Sequence, residues 1–160
     1  MGIFCNRGYL LIFRVCDLGS TCYDLIIRDQ SNENMLKDLL SDIIKIDDVL
    51  FIVRTGGAIT EMRSNALNLR QKDNWVTIGD NDGPCHMHVD TNTVAKVQFV
   101  KEQKENRTSY SVRFFDKDGE KLMSAVFSKM FDDKMTIKPD RKKLYDDLFQ
   151  KYGANETITF

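Results

Sequence analysis

Between Val49 and Phe127 the chain reads as short segments, several of them with a period of two, separated by turn-forming residues. A period of two is the period of an extended chain, whose successive side chains point to opposite faces, so this stretch is committed to strands rather than helices. VLFIVR (49–54) runs into Thr55-Gly56-Gly57, a turn that admits positive φ, and then into AITEMR (58–63), which predicts a hairpin. TVAKVQFV (93–100), the polar loop KEQKEN and TSYSVRFF (108–115) predict another, and DKDGE leads from it into KLMSAVF (121–127).

The flanking segments have a different period. In SNENMLKDLLSDIIKIDD, Leu36, Leu39, Leu40, Ile43 and Ile44 recur at the three-four spacing of an amphipathic helix, with Ser31 or Asn32 placed to cap it and Glu33 in the first turn. In PDRKKLYDDLFQKYG, Pro139 or Asp140 starts a second helix, Leu144, Leu148, Phe149 and Tyr152 share one face, and Gly153 stops it. The expected class is therefore α+β: one large antiparallel β-sheet flanked by helices that cover one face.

A chain of 160 residues is expected to form a single domain over 1–160 and to bury a core without covalent staples. Residues 1–30 have poor periodicity and are expected to be a peripheral segment, with helix, sheet and C-terminal helix occupying 31–153. Three of the four cysteines, Cys5, Cys16 and Cys22, lie in that N-terminal segment and the fourth is Cys85. No C-x-x-C pair is present, which argues against a zinc ribbon or a redox dithiol and suits buried thiols in a reducing compartment.

With 23 Lys and Arg against 24 Asp and Glu, the net charge of −1 supplies no field that would gather nucleic acid or anionic lipid. The opening MGIFCNRGYLLIFRV has an apolar run too short for a signal peptide or a membrane span, so a cytoplasmic protein is expected. Any ligand must then be held by a local site.

Both histidines of the chain fall in NDGPCHMHVD (81–90). If 85–90 is a strand, Cys85, Met87 and Val89 face the core while His86, His88 and Asp90 share the other face, which is either solvent or the wall of a cleft. Two imidazoles at i, i+2 can hold one metal ion, but a dedicated site wants three or four ligands, and only Asp82 and Asp90 stand nearby. No G-x-S-x-G, G-x-G-x-x-G or Walker loop is present, and no cysteine sits in a recognisable nucleophile context. The mixed faces of the other strands, with Lys96, Gln98, Ser111 and Arg113 beside Val100 and Phe115, suit a flat, amphipathic, anionic ligand or an ordinary half-exposed sheet.

The order VLFIVRTGGAITEMRSNALN, NWVTIGDNDGPCHMHVD, TVAKVQFVKE and SYSVRFFDKDGEKLMSAVF resembles the repeat of the HemS/ChuX-type haem-utilisation proteins, over about half of the chain. Trp75, His88, Val100, Phe115, Asp116 and Gly119 are its most particular points. The resemblance implies an intracellular haem-binding protein of the carrier or storage kind, or alternatively a haem-degrading enzyme. A single-repeat chain of this type implies a homodimer. A third expectation is a non-haem dimeric module that binds another small molecule or a protein on the same fold.

Two departures from the family pattern matter. The histidine that precedes the first strand of the repeat in two-repeat members has no counterpart here, and the Lys-Pro pair that often follows the "wfV" strand is replaced by Lys101-Glu102. A haem iron would then take His86 or His88 as axial ligand, ahead of a tyrosine, methionine or cysteine. Its propionates would want a cation, with Arg113 first and Arg54, Arg63 and Arg70 behind it.

Overall fold

The computed structural model describes residues 11–16, 22–27, 30–105, 107–153 and 157–159. In chain order these form β1 (Leu11–Cys16), β2 (Cys22–Ile27), α1 (Gln30–Ile44), β3 (Val49–Thr55), β4 (Ala58–Arg63), β5 (Leu69–Lys72), β6 (Trp75–Gly79), β7 (His86–Asp90), β8 (Lys96–Gln103), β9 (Thr108–Phe115), β10 (Lys121–Phe127), α2 (Pro139–Tyr152) and β11 (Thr157–Thr159). Strands β1 and β2 pair as an antiparallel hairpin of their own, in the N-terminal stretch expected to be peripheral. The remaining residues before Gln30, Cys5 among them, lie outside the described residues.

The main sheet has six antiparallel strands in the order β11-β8-β9-β10-β3-β4. Strands β3 and β4 form the hairpin expected around Thr55-Gly56-Gly57, with Thr55 opposite Ala58. The chain then leaves the sheet and returns as the meander β8-β9-β10, whose last strand pairs with β3. On one face Val49, Phe51, Val97, Phe99, Val112, Phe114, Ala125 and Phe127 are buried with Leu36, Leu39, Leu40 and Ile43 of α1 and Tyr145 and Leu148 of α2. Tyr145 meets Phe99, Tyr110 and Phe127 edge to face at ring separations of 5.9, 5.2 and 5.2 Å, the offset geometry that aromatic quadrupoles prefer.

Four expectations are corrected. A second sheet exists: β5-β6-β7, three antiparallel strands, two of which the periodicity had not marked. Strand β8 continues to Gln103, through half of the segment expected as a loop, and a hydrogen bond from Lys104 N–H to the Arg107 carbonyl at 2.8 Å closes a short turn instead. Helix α1 begins at Gln30, so Ser31 and Asn32 lie in its first turn rather than at its cap. Helix α2 has Pro139 and Gly153 at its ends as expected, but Leu144 is 37% exposed and Tyr145 takes the inward position. Tyr145, Leu148, Phe149 and Tyr152 make the i, i+3, i+4, i+7 stripe, and the larger buried area of the tyrosine ring decides the helix rotation.

Asp42 of α1 ties the two helices together. Its carboxylate accepts hydrogen bonds from Lys151 Nζ at 2.6 Å, Tyr152 Oη at 2.7 Å and Lys45 Nζ at 3.0 Å. Burial alone would raise the Asp42 carboxyl, but these three donors outweigh it and hold it well below the usual carboxylate range. The bond to Asp42 in turn pushes the Lys151 ammonium above its ordinary range.

Candidate functional site

The three-stranded sheet has one inward and one outward face. Leu69, Ile78 and Met87 stand in one register row and Gln71, Val76 and Val89 in another; Val76, Ile78 and Val89 are buried in the core. Alternation sends the other set outward: Arg70, Thr77 and His88 in one row, Lys72, Trp75 and Asp90 in the next, with His86 opposite Gly79. Strand β7 is thus a true strand with the two imidazoles on its outer face, as the alternation required. Cys85 precedes the strand and is exposed, which corrects its expected inward position.

Gly79 explains how β7 starts where it does. Its φ is +89°, and a Cβ there would stand 2.6 Å from the Cys85 carbonyl oxygen, so only glycine lets β6 approach the chain at Cys85-His86 this closely. His86 and His88 then project side by side, with ring centroids 5.1 Å apart and planes at 67°. His88 Nδ1 and Thr77 Oγ1 are 2.9 Å apart. When Nδ1 carries the proton and donates to Thr77, the Nε2 lone pair is left free to coordinate, the arrangement by which a neighbouring group orients a ligating histidine.

Trp75, the only tryptophan of the chain, is 47% exposed on this face and diagonal to His88. An indole left this far out of the core offers an apolar plane beside the imidazoles. Arg70 shares the row of His88, two strands away, and its Nη2 donates to Asn81 Oδ1 at 3.2 Å. Asn81 is neutral, so among the described residues the Arg70 charge has no carboxylate partner.

A pocket of about 360 Å³ opens at the seam between the two sheets, lined by Val53, Leu122 and Met123 on one side and by Met87, His88, Val89, Asp90, Thr93 and Val94 on the other. It lies at the small end of the usual range for ligand sites, about 300–1,000 Å³. A register shift between Lys121 and Met123 inserts Leu122 into β10 here, a bulge that brings both Leu122 and Met123 to the seam. The pocket is apolar within and carries His88 and Asp90 as its polar edge. Among the described residues no group of three or more His, Cys, Asp or Glu side chains could enclose a metal ion.

Arg113, the first candidate for a propionate, and Arg63, one of those behind it, stand elsewhere. Arg113 lies in the register row Gln98-Arg113-Ser124-Ile52, on the face of the large sheet opposite the helices, and pairs with Glu102 at 2.8 Å. Arg63 donates to Asp48 Oδ1 at 3.0 Å and to Ser128 Oγ at 3.3 Å. Lys129, foremost, and Arg63 hold the Asp48 carboxyl below its ordinary range. The structure therefore brings together His86, His88 and Arg70, and keeps Arg113 and Arg63 apart from them. Trp75 and Thr77 were missed as site residues; the signal was the alternation of WVTIG, five residues too short to stand out beside RQKDN.

One protein-family model matches residues 37–153 of the chain. No curated protein matches the sequence. Among solved structures, ChuX superposes with a TM-score of 0.64 at 12% identity, covering 76% of this chain and 74% of ChuX. A protein of Agrobacterium tumefaciens gives 0.63 at 18% identity, over 76% of this chain and 69% of its own. Holo-PhuS, a haem-binding protein from Pseudomonas aeruginosa, gives 0.57 at 17% identity, with 71% of this chain matched to 32% of PhuS. At these identities the likeness is one of fold. The match to a third of PhuS and three quarters of ChuX fits a chain with one repeat.

Proposed function

The chain belongs to the HemS/ChuX-type family of haem-utilisation proteins, and from that premise we propose that it binds haem as a cytoplasmic carrier or store. The observation that carries this reading is His88: an exposed imidazole lining an apolar pocket, its Nδ1 beside Thr77, on a face that also holds Trp75 and Arg70, an arginine with no carboxylate partner among the described residues. These residues fit the group. An imidazole is a common ligand of haem iron, so His88 would hold the iron and Arg70 would hold a propionate. When bound, haem supplies the iron and the macrocycle; the chain supplies one ligand, one cation and a partly enclosing apolar wall.

His86 and His88 project from the same face of one strand, and one of them would hold the iron. His88 is the chosen one because Thr77 orients it and the pocket opens beside it. His86, the other candidate, stands next to it opposite Gly79. Arg113 and Arg63, each paired with a carboxylate on another surface, are left out of this site.

A homodimer completes the proposal. Leu50, Ile52, Val100, Val126 and Phe115 are half-buried on the face of the large sheet opposite the helices, in adjoining register rows with Ser111 and Ser124. Such a face is suited to a second copy of itself. Titration of haemin into the purified protein tests the central reading. A saturable Soret shift at one equivalent, with quenching of Trp75 fluorescence, is expected; no shift overturns it.

A further inference from the structure

The same histidine pair offers a second kind of chemistry that does not rest on haem. His86 and His88 are the whole imidazole complement of the chain, and β7 sets both on its outer face, both exposed, with ring centroids 5.1 Å apart. Thr77 holds one nitrogen of His88 and leaves the other free, and the ring of His86, a residue paired with Gly79 across the sheet, meets the ring of His88. Two imidazoles two residues apart on a strand stand close enough to share one ion between them. Imidazole suits the late first-row divalent ions, whose affinity for nitrogen sites rises along the series to copper.

The geometry points to a two-histidine chelate at His86 and His88 for an exchangeable late first-row divalent ion, with water completing the coordination sphere. Openness follows from the surroundings: no third His, Cys, Asp or Glu joins the pair to close a cage among the described residues. A structural metal site is closed by four protein ligands, whereas an open one loads and unloads. The chelate needs both imidazoles at once, and haem needs one, so the two ligands exclude each other at His88 and separate cleanly under mutation.

Trp75 is the reporter. It is the single tryptophan, on the same face, and a diagonal neighbour of His88, a relationship that spans about 7–8 Å in an antiparallel pair. Nickel(II) is the probe, since it quenches indole fluorescence without oxidising the exposed Cys85 thiol. Titration of the full chain is expected to give saturable quenching that excess zinc(II) reverses. His86→Ala and His88→Ala, each checked for folding by circular dichroism, are each expected to weaken nickel by about tenfold or more, and Cys85→Ser to leave it unchanged. Quenching that survives in either histidine variant, disappears in Cys85→Ser, or is absent from the wild type overturns the chelate. Haemin absorbance on the same proteins is read independently: haemin without nickel sinks the chelate alone, and nickel without haemin sinks the haem reading alone.

Discussion

Arg113 Nη2 lies 2.8 Å from Glu102 Oε2 on the face of the large sheet turned away from the helices. Their register partners are Gln98 and Ser109, so the guanidinium reaches along the sheet past Ser111. Ser111, which lies in the row between them and is flanked by Val100 and Val126, is only 2% exposed on an otherwise half-open face. Glu102 is also the residue that replaces the proline of the family's Lys-Pro pair. The first candidate among the arginines is thus already neutralised.

Because Glu102 already satisfies Arg113, Arg113→Ala is expected to leave haemin affinity within about twofold. Arg70→Ala, which removes the cation in the His88 row, is expected to weaken it by about three- to tenfold, as loss of a partly exposed charge pair would. Absorbance titration of both variants measures the difference, and the reverse order would move the ligand to the large sheet.

Gly79→Ala puts a Cβ against the Cys85 carbonyl at a φ of +89°. The strain is expected to cost about 1–3 kcal/mol, or several degrees of melting temperature, and to disturb His86 and His88 together. Thermal unfolding followed by haemin titration of the variant checks both. A variant as stable as wild type would mean that the close approach of β6 to Cys85 is relaxed in solution.

Asp42→Asn removes the charge that Lys151, Tyr152 and Lys45 share between α1 and α2. The depressed Asp42 carboxyl contributes stability that is present at neutral pH and lost as pH falls below about 4, where the unfolded carboxyl also protonates. With Lys45 and Lys151 68% and 60% exposed, the loss at pH 7 is expected to be about 1 kcal/mol. Denaturant unfolding at pH 7 and pH 3.5 should show the gap between wild type and variant narrowing on acidification; a gap that widens would refute the assignment.

The central strands were readable because their apolar residues run in segments of seven or eight residues bounded by turn signals, with Val112 between Ser111 and Arg113 the clearest alternation. Strands β5 and β6 were not, since Arg70, Lys72 and Asp73 crowd a short stretch whose inward members are only Leu69, Val76 and Ile78. The imidazole pair was legible from spacing alone, because period two puts His86 and His88 on one face whatever the strand packs against. Which arginine joins them was not. That depends on the register Arg70-Thr77-His88 within a sheet of its own, and on Arg113 pointing from the far face of another, both tertiary facts. Leu144 and Tyr145 show the same limit at a helix, where two adjacent apolar residues compete for one inward position and packing decides.

Val126→Glu places a charge in the middle of the half-buried face opposed by Ser111 and Leu50. If a second copy covers that face, light scattering should find a dimer for wild type and a monomer for the variant. An unchanged mass would locate the interface elsewhere.

The most direct test of the account compares haemin binding to wild type, His88→Ala and His86→Ala by Soret absorbance. The account predicts a saturable Soret shift for wild type, its near-complete loss in His88→Ala, and its survival in His86→Ala. Wild-type binding by His88→Ala would contradict it.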